Sequence, residues 1–414
     1  MTAMHCNVDC MKPEYIASIV ILCALVVVLI VVVVLATATY KSIPFIPIVF
    51  DLTTGAVFMD VLASNRRLRS VVSISSPVSY FSTQSCPTCV FQPYDPSLSG
   101  NYTNLNIQDS ITFGVDGVVQ GVMGTDSVTF QQNTKTNSAC GYNPSTLKPA
   151  LPFIVPDFLL LAATKVTKAP LNQVGLSPLQ FADSSTSTSR AVHDAVRFRK
   201  YESSILEDLR ATGGSVQWSL LLKPFASQMW LGRKPPSNVS CPVKAPMAYT
   251  PLLPALPHGA SPFFADKGRY YAVAISNIQR VLPDGSRVAV EADAAAQVPV
   301  PRVAIITLSQ PLVVFPQSKT ADAFLGTTTT NLQGLAVTFS NGPTLTIQPG
   351  ASVWSYGGSG LAPIYGALPL TDTKALSSQQ DVIILGCMAF QNTLMHFDLD
   401  KQVFGLAELQ GGPL

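Results

Sequence analysis

A chain of 414 residues is too long for one ordinary core, and a formal net charge of +2 with 12% charged side chains leaves no basic footprint for nucleic acid. The 32 prolines and 26 glycines are spread along the chain, which suits many strands joined by tight turns and excludes a low-complexity tract.

The first element is apolar. Ile16 to Leu35 carries no charge and is rich in Val, Ile and Leu. A bilayer core takes about 20 such residues as a helix, and lipid forces the backbone to satisfy its own hydrogen bonds. The run exceeds the roughly 7–15 apolar residues of a cleavable signal. Residues 16–38 are therefore expected to form a transmembrane signal anchor behind a short tail at 1–15. Ala36-Thr37-Ala38 offers the alternative, cleavage and secretion. Lys12 and Lys41 balance across the segment and do not set its orientation. The sequons at Asn101 and Asn238 both follow it, which favours a body on the extracellular or secretory-lumen side.

Cys6 and Cys10 precede the segment, positioned for acylation, and Cys23 lies within it. Beyond it, Cys86, Cys89, Cys140 and Cys241 are disulfide candidates; four cysteines allow three connectivities, and spacing does not choose among them. Cys387 makes the exported number odd. Cys86-x-x-Cys89 lacks the second ligand pair a zinc site needs, so neither metal nor cofactor is expected.

Strand signals then dominate. Apolar or alternating runs occur at 56–62, 69–75, 215–222, 270–275, 302–308 and 381–385. Ile111 to Phe113 and Ser127 to Phe130 are expected to flank a glycine-punctuated loop. Arg66, Arg67 and Arg69 read as a solvated turn between strands, or else as a contact for an anionic surface. Short helical spacings occur at 190–198, 202–209 and 318–324, and 184–189 reads as an exposed polar loop. The pattern is all-β.

Three stretches resemble the plant nepenthesin-like branch of the pepsin-family aspartic proteases. Gln84 to Ser97, containing Cys86-Pro87-Thr88-Cys89 and ending Tyr94-Asp95-Pro96-Ser97, is similar to that branch's cysteine-rich insert. Met247-Ala248-Tyr249-Thr250-Pro251-Leu252-Leu253, with Tyr270-Tyr271 after it, resembles a YTPLL box and its following strand. Val382 to Cys387, Phe397 to Asp400 and Val403 to Ala407 resemble the closing strands. The resemblance covers roughly residues 50–410. It implies a bilobal pepsin-like fold, two β-barrel-like lobes at 39–240 and 241–414 around a central cleft, plus the N-terminal transmembrane helix.

Family chemistry needs one Asp-Thr/Ser-Gly loop from each lobe. Two close carboxylates share a proton, so that one acts as general base on water and the other as general acid. The first loop aligns with Val71 to Tyr80 and places Ser73 at the aspartate; the second aligns with Ile305 to Pro316 and places Thr307 there. Ser75 and Ser309 replace the loop glycines, and Phe113, eight residues before Gly121, replaces the flap tyrosine. A hydroxyl can hydrogen-bond but cannot hold the shared proton, so the expected loss of rate is on the order of 10⁴–10⁶. Asp109, Asp116 and Asp126 read as turn and surface residues of the flap hairpin.

Other chemistries have less support. There is no G-x-S-x-G elbow and no phosphate-cradling loop, and His5, His193, His258 and His396 share no ligand spacing. The expected function is that of a membrane-anchored pseudoprotease, not an enzyme, which binds a protein or cell-wall polysaccharide in the cleft or on a surface loop. Cereal xylanase inhibitors are similar in kind, which brings inhibition of a glycoside hydrolase into view. The alternatives are an aspartic endopeptidase with residual activity and a structural surface glycoprotein.

Overall fold

Val57, Met59 and Val61 are buried while Leu62 is exposed and Phe58 and Asp60 are half-buried, the two-residue period of a strand with one face on a core. That local rule recurs along most of the body. A computed structural model describes residues 21–29, 43–51, 56–74, 78–86, 93–113, 117–134, 144–167, 169, 172–176, 204–224, 226–235, 243–253, 271–282, 284–289, 302–308, 313–314, 334–347, 354–355 and 382–410. The chain forms two units, 1–43 and 44–414. Of the first, residues 21–29 are helical. Among the described residues no helix is long and apolar enough to cross a membrane, and the rest of the expected anchor lies outside them.

Among the described residues the second unit is mostly strand. Its first part contains β1 (Ile46–Asp51), β2 (Ala56–Ala63), β3 (Arg66–Ser73), β4 (Tyr80–Ser82), β5 (Thr103–Phe113), β6 (Gly117–Phe130), β7 (Asn133–Thr134), β8 (Lys148–Pro149), β9 (Phe153–Thr167) and β10 (Asn172–Gly175). After the helix α1 (Ser204–Ala211) come β11 (Gln217–Leu222), β12 (Ser227–Leu231), β13 (Ala248–Pro251), β14 (Ala272–Val281), β15 (Arg287–Ala289), β16 (Val303–Ile306), β17 (Val313–Val314), β18 (Gly334–Phe339), β19 (Thr344–Ile347), β20 (Trp354–Ser355), β21 (Val382–Leu385), β22 (Thr393–Asp398) and β23 (Val403–Glu408). The all-β expectation holds.

Strands β2-β3-β10-β4-β9-β6 pair in that order, and β6 pairs back onto β2, so the ring is closed. An antiparallel sheet, β13-β23-β22-β11-β12-β1, continues from β2. It combines strands from the beginning, middle and end of the body. A second sheet runs β19-β18-β14-β16-β21-β17-β20. One core of buried apolar side chains runs through both sheets, from Ile46 and Val72 to Phe397 and Leu406.

Two expectations need correction. The glycine-punctuated stretch before Ser127 is strand rather than loop from Gly117 onward: β6 runs from Gly117 to Phe130. Its glycines serve close approach, since a Cβ on Gly121 would lie 2.2 Å from the Ala162 carbonyl oxygen and one on Gly124 would lie 2.4 Å from the Tyr102 ring. The basic run is strand, not turn, because the reversal is made by Ser64 and Asn65, both at positive φ. Arg66 donates to the Pro93 carbonyl, Arg67 pairs with Asp60 at 2.6 Å, and Arg69 sits 5.0 Å over the Phe58 ring. Helix α1 begins two residues later than expected, with Ile205, Leu206 and Leu209 buried. The other two expected helices lie outside the described residues.

Candidate functional site

Each half of the body builds the same strand arrangement. In the first, β3 runs parallel to β10, β10 antiparallel to β4, and β4 parallel to β9, with β2 antiparallel on the outside. In the second, β16 runs parallel to β21, β21 antiparallel to β17, and β17 parallel to β20, with β14 antiparallel on the outside. The order β2-β3-β10-β4-β9 is thus repeated as β14-β16-β21-β17-β20.

The repeat makes Ser73 and Thr307 equivalent. Ser73 ends β3 opposite Gly175, and its carbonyl accepts from Leu176 N–H at 2.7 Å. Thr307 follows Ile306, which pairs with Leu385, and donates its N–H to the Leu385 carbonyl at 3.0 Å, so that Gly386 stands where Gly175 does. Both side chains are buried, each 1% exposed. The neighbours match: Val71-Val72 and Ile305-Ile306 precede the hydroxyl residues, and Ile74 and Leu308 follow them. Sequence reasoning missed Val174-Gly175-Leu176 as the partner of Leu385-Gly386-Cys387; the only signal was a short apolar-Gly-apolar echo.

Polar side chains fix these strand ends. Ser79 Oγ accepts from Gly175 N–H at 3.0 Å, and Gln173 Nε2 donates to the Val78 carbonyl at 3.0 Å. Asn172 accepts from Ser82 N–H and donates to the Arg69 carbonyl. The two halves are joined through Tyr271. Its hydroxyl donates to the Leu176 carbonyl at 2.9 Å and accepts from Trp218 Nε1 at 3.0 Å, while its own carbonyl accepts from Ile306 N–H at 2.8 Å. A buried relay therefore runs from beside Ser73 to beside Thr307. Trp218 stacks on Phe397 at 4.2 Å, and the Tyr271 ring meets both edge-on.

Among the described residues the buried carboxylates are Asp126 and Asp398. Asp126, expected on the surface, is fully buried in β6 because four groups solvate it: the Tyr94, Ser99 and Ser64 hydroxyls and Ser127 N–H. It ties the Tyr94–Ser97 box to the hairpin. Burial, then the Asp126 charge, pushes the Tyr94 phenol far above its ordinary range. Asp398 lies in β22. Burial pushes its pKa up, but the Lys401 backbone and side-chain donors outweigh this and hold it below the ordinary carboxylate value. Among the described residues no three His, Cys, Asp or Glu side chains gather as a metal site.

The remaining expected residues are placed as follows. Phe113 ends β5 opposite Gly117, at the base of the hairpin tip, and 114–116 lie outside the described residues with Asp116. Asp109 is half-buried in β5. Asn101 is exposed in the turn before β5, open to a glycan; Asn238 lies outside the described residues. Cys86 is in a disulfide, while Cys89, Cys140 and Cys241 lie outside the described residues. Cys387 is buried, and burial raises the pKa of its thiol. His396 is buried, its Nε2 3.0 Å from Gln217 Oε1 and its Nδ1 3.2 Å from the Tyr249 hydroxyl, which suits one neutral tautomer. The other three histidines lie outside the described residues.

No known family model matches this chain, and no curated protein matches it.

Proposed function

We propose that this chain is a catalytically inactive member of the pepsin-like aspartic protease fold, tethered to a membrane by residues 16–38 and acting by binding. The observation that carries the reading is the pair of buried hydroxyl residues, Ser73 and Thr307, at equivalent ends of two repeated strand arrangements. A duplicated β-motif that presents one side chain from each copy is how a pepsin-like fold assembles its two carboxylates. Here neither position can ionise, and the nearest chemistry left to two hydroxyls is hydrogen bonding. A pepsin-like fold holds a cleft between its halves, and without the carboxylates such a cleft is left with binding as its role. The ligand class that fits is an exported protein or a cell-wall polysaccharide, with a glycoside hydrolase as the specific protein candidate. The tether is supported by the uncharged apolar run Ile16 to Leu35, of which residues 21–29 are helical.

The test is peptide hydrolysis by the purified full chain on an unfolded protein substrate from acid to neutral pH, with and without pepstatin. A Ser73→Asp/Thr307→Asp variant is assayed beside it. The expected result is no pepstatin-sensitive cleavage by the natural chain. Cleavage that pepstatin abolishes would refute the reading and send the search to other carboxylates.

A further inference from the structure

Strand β12 buries both of its faces. Met229 and Leu231 join the main apolar core. The two-residue period turns Gln228 and Trp230 to the opposite face. They are just as buried, 0% and 2% exposed. Yet Gln228 Oε1, Gln228 Nε2 and Trp230 Nε1, all buried, have no hydrogen-bond partner among the described residues. Buried polar groups are nearly always bonded, because leaving one without a partner forfeits its hydration.

The pairings explain why the strand neighbours do not serve. Gln228 lies between Pro47 on β1 and Leu221 on β11, and neither side chain can bond an amide. Trp230 lies opposite Ser219, whose hydroxyl donates to the Arg233 carbonyl at 2.9 Å. The Phe45 ring stands 6.4 Å from the Trp230 ring. His396, beyond Ser219 on β22, is engaged by Gln217 and Tyr249.

The unmet groups define the occupant. The Gln228 amide nitrogen and the Trp230 indole N–H each need an acceptor, and the Gln228 carbonyl oxygen needs a donor. A cation would face N–H groups, and an anion would face the carbonyl oxygen. An apolar group would satisfy none of the three. A small neutral molecule that both donates and accepts meets all of them, and water is the one that a closed polar site ordinarily holds.

We infer that this face of β12 is an internal water-binding site, built by the Gln228 amide and the Trp230 indole N–H. The bound water completes the hydrogen bonding of a strand that lies between β11 and β1 in the sheet joining distant parts of the chain.

The experiment uses the detergent-solubilised full chain with ¹⁵N-labelled tryptophan. The Trp230 indole proton is assigned by its loss in Trp230→Phe. It should show cross-relaxation with a water that tumbles with the protein. The signal should persist in Ser219→Ala, which removes the neighbouring hydroxyl as a relay, and weaken in Gln228→Met. Denaturant unfolding of Gln228→Met gives a second readout. A lowered midpoint is expected, since methionine keeps the length of glutamine but abandons the water. An unchanged or raised midpoint would mean that the amide has no partner to lose, and would overturn the site. So would an absent water signal in the natural chain, or one that vanishes in Ser219→Ala.

Discussion

Acidification perturbs His396 in a way that can be worked through. Its ordinary pKa of 6.5 is lowered to about 4. Burial is the first cause; Lys234 and Lys401 add to it, and Asp398 opposes it. The folded state therefore binds this proton more weakly than the unfolded state. Its contribution to stability is complete above the unfolded pKa and is lost as pH falls from 6.5 toward 4. The full shift corresponds to about 3.4 kcal/mol below pH 4 and about 2 kcal/mol at pH 5. Lys401 is 65% exposed, so water screens part of the repulsion, and about half of these figures is the expected yield. The assay is denaturant unfolding of the detergent-solubilised chain at several pH values between 7.5 and 5, for the natural protein and a His396→Gln variant. Glutamine can still meet Tyr249 and Gln217 but does not titrate. The natural protein should lose about 1 kcal/mol more than the variant between pH 7 and pH 5. Parallel pH profiles for the two would refute the reasoning, because the carboxylates are common to both.

Other outcomes follow from the same geometry. Tyr271→Phe removes the hydroxyl that serves both Trp218 Nε1 and the Leu176 carbonyl, and should lower stability by about 2–4 kcal/mol at unchanged denaturant slope; a change under about 0.5 kcal/mol would contradict the relay. Gly121→Ala drives a methyl into the backbone of β9, which cannot rotate away, and should cost about 3 kcal/mol by thermal or denaturant unfolding. Cys387 should resist maleimide labelling at neutral pH until the chain is unfolded; labelling of the native protein would mean its thiol is open to solvent.

What could be read from the sequence depended on range. The strands at 56–62 and 382–385 announced themselves because their apolar residues are contiguous or alternate within a few positions. Strand β6 was hidden because glycine signals a turn when read locally, whereas Gly121 and Gly124 answer to Ala162 and Tyr102 across the sheet. Asp126 was misplaced for a similar reason: Tyr94, Ser99 and Ser64, which make its burial possible, are distant in sequence. Ser73 and Thr307 were found by resemblance to loops that normally carry aspartate. Their equivalence rests on pairings to Gly175 and Leu385, far along the chain, which no window of residues contains. The relay through Tyr271 was beyond sequence reasoning because each of its three partners comes from a different strand or loop.

The sheet β13-β23-β22-β11-β12-β1 carries one more consequence. Ile46 must find Met229, and Leu220 must find Met395. During synthesis the ring of β2, β3, β10, β4, β9 and β6 has all its strands well before β22 emerges, while β1 and then β11 wait with an unpaired edge. Such late, distant pairing is slow. A nascent chain paused before β22 is thus a half-built body with an open seam, and a premature stop there should yield a species held by chaperones rather than a smaller working protein.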